Sequence, residues 1–205
     1  MIHPNIQLRW LSDAKGYGLI AIKSIPAGSI TFAQDPLDIA IPTSSHLLED
    51  QRIKKYIEKY AFLNSDDEFV ISWDNGKYMN HCCHANTLTT GYGFEIAIAD
   101  IAEGEEVTDD YGIFTIRHHM EISCSKENCR GKISIEDFDR CLPCWDEKVM
   151  KALKLFNIVD QPLKEFINDK VLSKITKYIE TGDGYVSVGT QKANVEEFEF
   201  WTEGQ

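Results

Sequence analysis

The sequence predicts a mostly β fold with a helical insert and a helical C-terminal appendage. Three short segments, 17–23, 29–34 and 94–99, are rich in β-branched or alternating apolar residues and are bounded by Gly or Pro, which is typical of strands. Residues 46–62 instead carry apolar side chains at helical spacing, and the same spacing returns after Cys144.

The strand candidates follow one another through turn-forming residues. Residues 26–28 (Pro-Ala-Gly) are typical of a turn between two strands. Phe94, Ile96 and Ile98 alternate along the chain, so they share one face of a strand. Further strand candidates are 69–71 and 78–79.

Helical spacing marks three segments. The insert has a stripe formed by Ile53, Tyr56, Ile57 and Tyr60. The appendage has a first stripe formed by Val149, Ala152, Leu153 and Phe156, and a second formed by Leu163, Phe166, Ile167 and Val171. We expect the second helix to begin at Pro162 and to stop at Gly182.

Length and composition bound the function. The 205 residues suffice for one domain with a core and a small appendage. A net charge of −12 disfavours direct binding of duplex DNA and suits a basic partner, although solubility alone explains it equally well. No apolar run is long enough for a membrane span and no signal peptide is recognised, so we expect an intracellular protein, in the cytoplasm or the nucleus; delivery into a host cell is the alternative if the source is a bacterium that lives inside host cells.

Three motifs carry the chemical information. They are Gly16-Tyr17-Gly18, residues 80–86 (NHCCHAN) and residues 104–112 (GEEVTDDYG). In this order and spacing they resemble the SET-domain protein-lysine methyltransferases, and the resemblance runs from about Lys15 to Gly131. It implies a SET-domain β-clip of small curved sheets, with a knot-like crossing near Asn80 and Tyr111.

The resemblance also implies a division of the chain. The expected parts are a catalytic SET domain at 1–121 with the helical insert at 46–62, a post-SET-like cysteine segment at 122–145, and the helical appendage at 146–205.

The resemblance implies that S-adenosylmethionine is the cofactor. The Gly16–Gly18 loop would hold its methionine end through backbone atoms, and Asn80 would fix its amino group. Lys77 stands where the family often has an arginine, which keeps the charge but loses the planar guanidinium. The full expected cofactor set is Lys15, Gly16, Tyr17, Gly18, Lys77, Tyr78, Asn80, His81 and Tyr111.

Tyr111 is the expected catalytic residue. Methyl transfer needs an aligned and neutral amine, and a tyrosine hydroxyl can orient its lone pair. Asp109 departs from the family, which usually has Phe or Tyr at this position of the substrate pocket. A charged group facing the amine would favour ammonium; alternatively, the smaller side chain leaves room for higher methylation.

The six cysteines lie between Cys82 and Cys144, which favours a metal over disulfides. The resemblance implies one structural zinc ion in a post-SET-like segment. Ile122 replaces the first post-SET cysteine, so either Cys141 or Cys144 would complete the site. The expected set is Cys83, Cys124, Cys129 and Cys144.

Two alternatives to that zinc site remain open. A separate site could use Cys124, Cys129, Cys141 and Cys144, or the cysteines bind no metal. Cys82 stands where the family has Ser and is interpreted as structural rather than as a nucleophile.

The expected function is S-adenosylmethionine-dependent methylation of lysine in a basic protein or peptide, for which a histone tail is one candidate. The alternatives are a catalytically inactive SET-like binding module, marked by Asp109 and Lys77, and methylation of a small amine or a non-lysine side chain. Six aromatic residues are candidates to line a lysine channel: Tyr56, Tyr60, Phe62, Trp73, Tyr92 and Phe94.

Overall fold

A computed structural model describes residues 1–114, 119–122, 124 and 126–193, and it confirms the mostly β fold with helices in the insert and the C-terminal region. The strands are β1 (Ile6–Ser12), β2 (Gly16–Ala21), β3 (Ile30–Ala33), β4 (Ile39–Pro42), β5 (Phe62–Leu63), β6 (Glu68–Ile71), β7 (Asn80–His81), β8 (Thr87–Thr89), β9 (Phe94–Ala97), β10 (Glu106–Asp109), β11 (Met120–Glu121) and β12 (Lys132–Ile133). The helices are α1 (Gln51–Tyr60), α2 (Glu136–Leu153) and α3 (Asp169–Thr181).

The sheet that positions the motifs has the order β1-β2-β10-β7. β1 and β10 both run antiparallel to β2, whereas β7 runs parallel to β10. In this parallel pair Thr108 lies opposite Asn80 and Asp109 opposite His81. Two motifs almost 30 residues apart in the chain are therefore neighbours in the fold.

Two further three-stranded sheets have the orders β3-β9-β8 and β4-β6-β5, and β11 pairs with β12. All four residues of β9 are buried. One of them is Glu95, a carboxylate between Phe94 and Ile96, so this strand brings an acidic group into the interior.

The helical insert is confirmed, as a short 3-10 turn at His46–Glu49 followed by α1. The Asp50 side chain caps α1 by accepting the N–H of Arg52. Ile57 is buried, whereas Tyr56 is 64% exposed, so the predicted stripe is narrower than its spacing indicates.

The prediction of a strand at Tyr78–Met79 was wrong. Residues Asn75–Tyr78 form a 3-10 turn, which the Asp74 side chain caps by accepting the N–H of Gly76. The strand begins one residue after Met79, at Asn80.

The first C-terminal helix begins at Glu136, before Cys144 rather than after it. Pro143 lies inside this helix and removes one of its backbone hydrogen bonds. The helix continues because Phe138, Trp145 and Val149 fall on one helical stripe and are buried together. The expected boundary between residues 145 and 146 therefore lies inside a helix.

The second C-terminal helix begins later than predicted. Only a 3-10 turn (Lys164–Phe166) follows Pro162, and α3 starts at Asp169 because Asn168 caps it by accepting the N–H of Val171. The predicted stop is confirmed, since Gly182 adopts a left-handed conformation with φ of 78°. The end of the appendage, 194–205, lies outside the described residues.

The C-terminal region packs directly on the sheets. The largest core cluster joins Ile30, Phe94 and Ile113 to Leu153 and Phe156. The Gln161 side chain also connects this region to the backbone beside β3. It accepts a hydrogen bond from Ile30 N at 2.9 Å and donates one to Gly28 O at 2.7 Å. None of the helices in the described part of the chain is long and apolar enough to cross a membrane.

Candidate active site

The predicted cofactor residues from two motifs meet at β2 and β7. The Asn80 amide donates to Tyr17 O at 3.1 Å and to Glu106 Oε1 at 2.9 Å, and Lys15 Nζ pairs with Glu106 Oε2 at 2.7 Å. Both Asn80 amide hydrogens are used, so its carbonyl oxygen keeps acceptor capacity for a ligand. A Cβ at Gly18 would lie 2.7 Å from Asn80 Nδ2. This close approach requires glycine.

Aromatic rings border this strand. The Tyr17 ring lies edge-on to Trp10 at 5.2 Å and to Tyr78 at 5.7 Å, and Trp10 and Tyr17 are exposed. An exposed aromatic group of this kind offers flat apolar surface to a ligand.

Lys77, in contrast, is directed toward its own turn. Its Nζ lies 2.5–3.4 Å from the carbonyl oxygens of Ser72, Trp73 and Asp74. A lysine held in this way stabilises the 3-10 turn before β7. Its predicted contact with a cofactor therefore stays a prediction.

Tyr111 is fixed by two hydrogen bonds to residues around β7. Its backbone N–H donates to His81 Nδ1 at 3.1 Å, and its hydroxyl donates to Met79 O at 2.6 Å. Burial, together with the negative charges of Asp109, Glu95 and Glu106, raises the pKa of the Tyr111 hydroxyl. The hydroxyl is therefore protonated at neutral pH, and its oxygen is left as an acceptor.

A cavity of about 400 Å³ opens beside Tyr111. Of the six aromatic residues predicted to line a channel, Tyr60 and Phe62 line it, Tyr56 and Trp73 are exposed, and Tyr92 and Phe94 belong to the core. Other aromatic lining residues are Phe32, Phe69 and Phe114. Because the end of α1 forms one wall, the insert contributes directly to this cavity.

Two carboxylic acids also line the cavity, Asp109 and Glu95. Asp109 Oδ1 accepts the N–H of Asp110 at 2.6 Å and Oδ2 accepts the Thr89 hydroxyl at 3.0 Å. Burial raises the pKa of Asp109 to about 7 despite these bonds. Burial, reinforced by the charge of Asp109, also raises the pKa of Glu95 well above its ordinary value.

Asp110 ties the tyrosine segment to the C-terminal region. Its carboxylate pairs with Arg130 and accepts the Trp145 Nε1–H at 3.1 Å and the Gly112 N–H at 3.0 Å. Burial lowers the pKa of the neighbouring His81 to about 4. Since His81 Nδ1 accepts from Tyr111, the proton of the neutral ring is on Nε2, which lies 3.4 Å from Cys83 Sγ.

Three of the four predicted metal ligands come together. The sulfur atoms of Cys83, Cys124 and Cys129 lie within 4.8 Å of one another, and the Cys83–Cys129 distance is 3.9 Å. A tetrahedral zinc with Zn–S bonds of about 2.3 Å separates its sulfurs by about 3.8 Å. The three cysteines therefore fit three positions of a zinc site.

The electrostatics of the cluster also suit a metal. Burial alone would raise the pKa of Cys124, but hydrogen bonds from the backbone of Cys83 and Lys126 and from the Cys129 thiol outweigh it and lower this pKa to about 6. Burial raises the pKa of Cys83, although it accepts the N–H of Arg130 at 3.3 Å. A thiolate at Cys124 would supply the first charge for a cation.

Cys144 is not part of this group. It is exposed on α2, and Cys141 on the same helix accepts from Arg130 Nη1 at 3.6 Å. The separate four-cysteine site is not formed in the described part of the chain, where Cys124 and Cys129 cluster with Cys83 instead. Cys82 is buried and accepts the N–H of His84 at 3.4 Å, as expected of a structural cysteine.

Several functional neighbours were missed by sequence reasoning. Glu106 belongs to the GEEVT motif, but only the fold shows that it bonds both Lys15 and Asn80. Glu95 could have been recognised from the sequence, because it is a lone carboxylate inside the apolar run FEIA. Such a residue lies either on the exposed face of the strand or in the interior as a functional group. Trp145 carried none, since its partner Asp110 is 35 residues away.

Comparison with known proteins agrees with these motifs. Two curated proteins named "Histone-lysine N-methyltransferase, H3 lysine-36 specific", from two strains of Cryptococcus neoformans, are 25% identical to the chain over 134 residues. The alignment covers 60% of this chain and 16% of each relative, so the chain spans about a sixth of their length.

Solved structures that resemble the chain include KRYPTONITE in complex with mCHG DNA and SAH, with a TM-score of 0.43, 20% identity and coverage of 60% of this chain and 28% of that chain. The methyltransferase domain of human SETMAR has a TM-score of 0.45, 18% identity and coverage of 65% of this chain and 58% of that chain. Residues 16–112 match the family described as the SET domain. These residues contain all three motifs and form a SET domain, and the chain is homologous to SET-domain histone-lysine methyltransferases.

Proposed function

We propose that the protein transfers a methyl group from S-adenosylmethionine to the side-chain nitrogen of lysine in a basic protein, with a histone tail as the first candidate. The observation that carries the proposal is the position of Tyr111, whose buried hydroxyl faces a cavity and is bonded to the residue before Asn80. SET-domain membership and the homology to histone-lysine methyltransferases support the reaction type.

The residues around Gly18 fit the expected cofactor. The carbonyl oxygen of Asn80 and the backbone of Gly16–Gly18 would hold its methionine end, and the Tyr17 and Tyr78 rings would cover its apolar parts. When bound, S-adenosylmethionine supplies an electrophilic methyl group on a sulfonium. The acceptor position left on Asn80 suits the ammonium of that cofactor.

Tyr111 would align the substrate amine. Because its hydroxyl proton is donated to Met79 O, its oxygen can accept an N–H of the amine. That bond leaves the nitrogen lone pair free to point away from the tyrosine. The aromatic wall of the cavity would exclude water and hold the aliphatic part of the lysine chain.

The cysteine cluster would stabilise this wall. Cys83, Cys124 and Cys129 would hold a zinc ion, and Cys83 follows β7 by two residues. The metal would thus connect the 124–130 segment to the strand that carries Asn80 and His81. Its role would be structural, since no cysteine of the cluster lines the cavity.

The test is transfer of labelled methyl from S-adenosylmethionine to mixed core histones and to a protein lysate, with the modified residue identified by mass spectrometry. Tyr111→Phe should lower transfer by at least tenfold. Tyr178→Phe is the matched control, because it removes a buried hydroxyl from α3, away from the cavity. Cofactor binding without lysine transfer to any substrate would contradict the proposed reaction. Absence of both would favour the inactive binding module.

A further inference from the structure

The cavity beside Tyr111 contains an acidic pair that methyl transfer does not by itself require. We call Glu95 and Asp109 the acid pair. Both side chains line the cavity together with Tyr111, and the negative charge of each acts on the Tyr111 hydroxyl. A substrate amine that reaches this hydroxyl would therefore come close to two carboxyl groups.

The acid pair is held by two threonine hydroxyls of β8 and by the backbone N–H of Asp110. Asp109 ends β10 and accepts from Asp110 N and from the Thr89 hydroxyl at the end of β8. Glu95 Oε2 lies 3.4 Å from the Thr87 hydroxyl, which is also 3.2 Å from Thr108 O. One hydroxyl hydrogen cannot serve both acceptors fully, so Glu95 is weakly solvated inside the protein.

The acid pair lacks a cationic partner. No salt bridge joins either carboxyl to a Lys, Arg or His within residues 1–114, 119–122, 124 and 126–193. Lys77 lines the cavity but its ammonium is bonded to backbone carbonyls. The N-terminal ammonium acts on Glu95 from a distance, while it pairs with Asp35 at 3.3 Å and Asp74 at 3.6 Å.

The remaining charged groups do not neutralise the pair either. Glu58 and Lys59 line the cavity from α1. Lys59 Nζ lies 5.2 Å from the Tyr60 ring centroid. Asp110, the residue that follows Asp109 in the chain, is paired with Arg130.

We propose that the acid pair accepts the proton of the substrate ammonium, with a carboxylate oxygen of Asp109 as the acceptor and Glu95 as its buried neighbour in the cavity. This inference rests on the proposed lysine methylation. In the step, one N–H bond of the ammonium breaks, its electron pair stays on nitrogen as the lone pair, and the proton forms an O–H bond with an ionised Asp109 oxygen. Charge is conserved, since a cation and an anion become two neutral groups.

The physical reason is the low polarity of the cavity. A free lysine has a pKa of about 10.4, and burial lowers it, because desolvation penalises the charged form. The same desolvation raises the pKa of Asp109 to about 7. Since a buried ion pair loses hydration on both partners, desolvation moves the equilibrium toward the neutral amine and the neutral acid.

The acid pair must also release the proton. After each methyl transfer the product nitrogen is again a cation, so a further methylation needs a second deprotonation. The cavity is open to solvent, and exchange with water between rounds would restore the Asp109 carboxylate. A proton acceptor of this kind therefore suits an enzyme that adds more than one methyl group.

The first experiment compares the pH dependence of kcat/KM for the wild type, Asp109→Asn and Glu95→Gln on the lysine peptide that the wild type methylates best. At pH 7 we expect Asp109→Asn to lose about 10²- to 10⁴-fold. Its rate should then rise about tenfold per pH unit up to pH 9, because the amine must lose its proton to water. Glu95→Gln should keep the acidic limb, because Asp109 still supplies the accepting carboxylate. Asp100→Asn, an exposed isosteric control, should follow the wild type.

The second experiment needs no catalysis. Infrared difference spectra are recorded at pH 8 on adding the peptide to protein that carries S-adenosylhomocysteine, which has no methyl to transfer. We expect a new protonated-carboxyl band in the wild type, which disappears in Asp109→Asn and with a peptide carrying norleucine in place of lysine.

Three outcomes are distinguishable. Wild-type pH profiles and an unchanged band in Asp109→Asn would overturn the inference and leave lysine methylation standing. An Asp109→Asn loss that is equal at every pH would also overturn it, by assigning the acid pair to cation binding alone. A folded wild type that binds cofactor and methylates no lysine at any pH would remove the proposed function and this inference together.

Discussion

Replacement of Asp110 by alanine tests how the tyrosine segment is attached to the C-terminal region. The Asp110 carboxylate is buried, pairs with Arg130 and accepts N–H groups from Gly112 and Trp145. The substitution removes all three interactions at once. It leaves the Arg130 guanidinium, whose side chain is only 16% exposed, with Asp137 at 4.0 Å as its remaining carboxylate contact.

The ion pair sets the expected magnitude. Removal of one partner from a buried pair costs about 3–5 kcal/mol, because the other charge stays buried and uncompensated. The two N–H donors are neutral, and each adds about 1 kcal/mol or more when it loses its acceptor in the interior. We therefore expect Asp110→Ala to lower the free energy of unfolding by at least about 3 kcal/mol.

Urea denaturation followed by tryptophan fluorescence and circular dichroism measures this loss. Trp145→Phe is the matched control for the neutral contact alone and should cost about 1 kcal/mol or slightly more. The double variant Asp110→Ala/Arg130→Leu should be more stable than Asp110→Ala, since it removes a buried guanidinium that has lost its closer carboxylate partner. A loss below 1 kcal/mol in Asp110→Ala, or a double variant that is less stable still, would refute the reasoning.

Three other predictions concern the ligand sites. Gly18→Ala should weaken S-adenosylmethionine binding at least tenfold in titration calorimetry, because the new Cβ would displace the Asn80 amide 2.7 Å away; unchanged affinity would mean that Asn80 does not hold the cofactor. The pKa of Asp109 is raised in the folded state from 3.8 to about 7, so its ionisation destabilises the fold progressively as the pH rises through that interval. Asp109→Asn should therefore stabilise the protein by up to about 4 kcal/mol at pH 8 and by much less at pH 4 in urea titrations; an equal effect at both pH values would contradict this. Metal analysis should find about one zinc per chain, and Cys83→Ser should lower both the zinc content and the melting temperature. Wild-type protein that contains no zinc and melts at the same temperature as Cys83→Ser would contradict the zinc site and leave the cysteines as core residues.

Local motifs identified candidate site residues, but not the residues that surround them in the fold. Gly18 and Asn80 could be predicted because glycine and an amide side chain are tied to specific backbone needs. Their contact depends on β2, β10 and β7 lying side by side, and the parallel register of Thr108 with Asn80 cannot be deduced from either segment alone. The family resemblance supplied that link, and residue chemistry did not.

The C-terminal helices show where pattern reasoning fails. The apolar stripe that begins at Val149 predicted a helix after Cys144, whereas α2 begins at Glu136 and contains Pro143, a residue that normally ends a helix. Burial of Trp145 and Phe138 against the sheets outweighs that local preference. Cys144, the fourth predicted zinc ligand, lies on this helix, away from the other three cysteines.

The core shared by Phe94 and Leu153 has a consequence for synthesis on the ribosome. The strands that supply Ile30, Leu88 and Phe94 to this core leave the exit tunnel before α2 and α3 do, so their apolar faces stay uncovered until those helices are made. Translation adds about 5–20 residues per second. Synthesis of the chain from the start of α2 to the end of α3, roughly 45 residues, therefore delays closure of this core by several seconds. During that interval the nascent chain presents the uncovered apolar face of the β3-β9-β8 sheet, which only the C-terminal helices can bury.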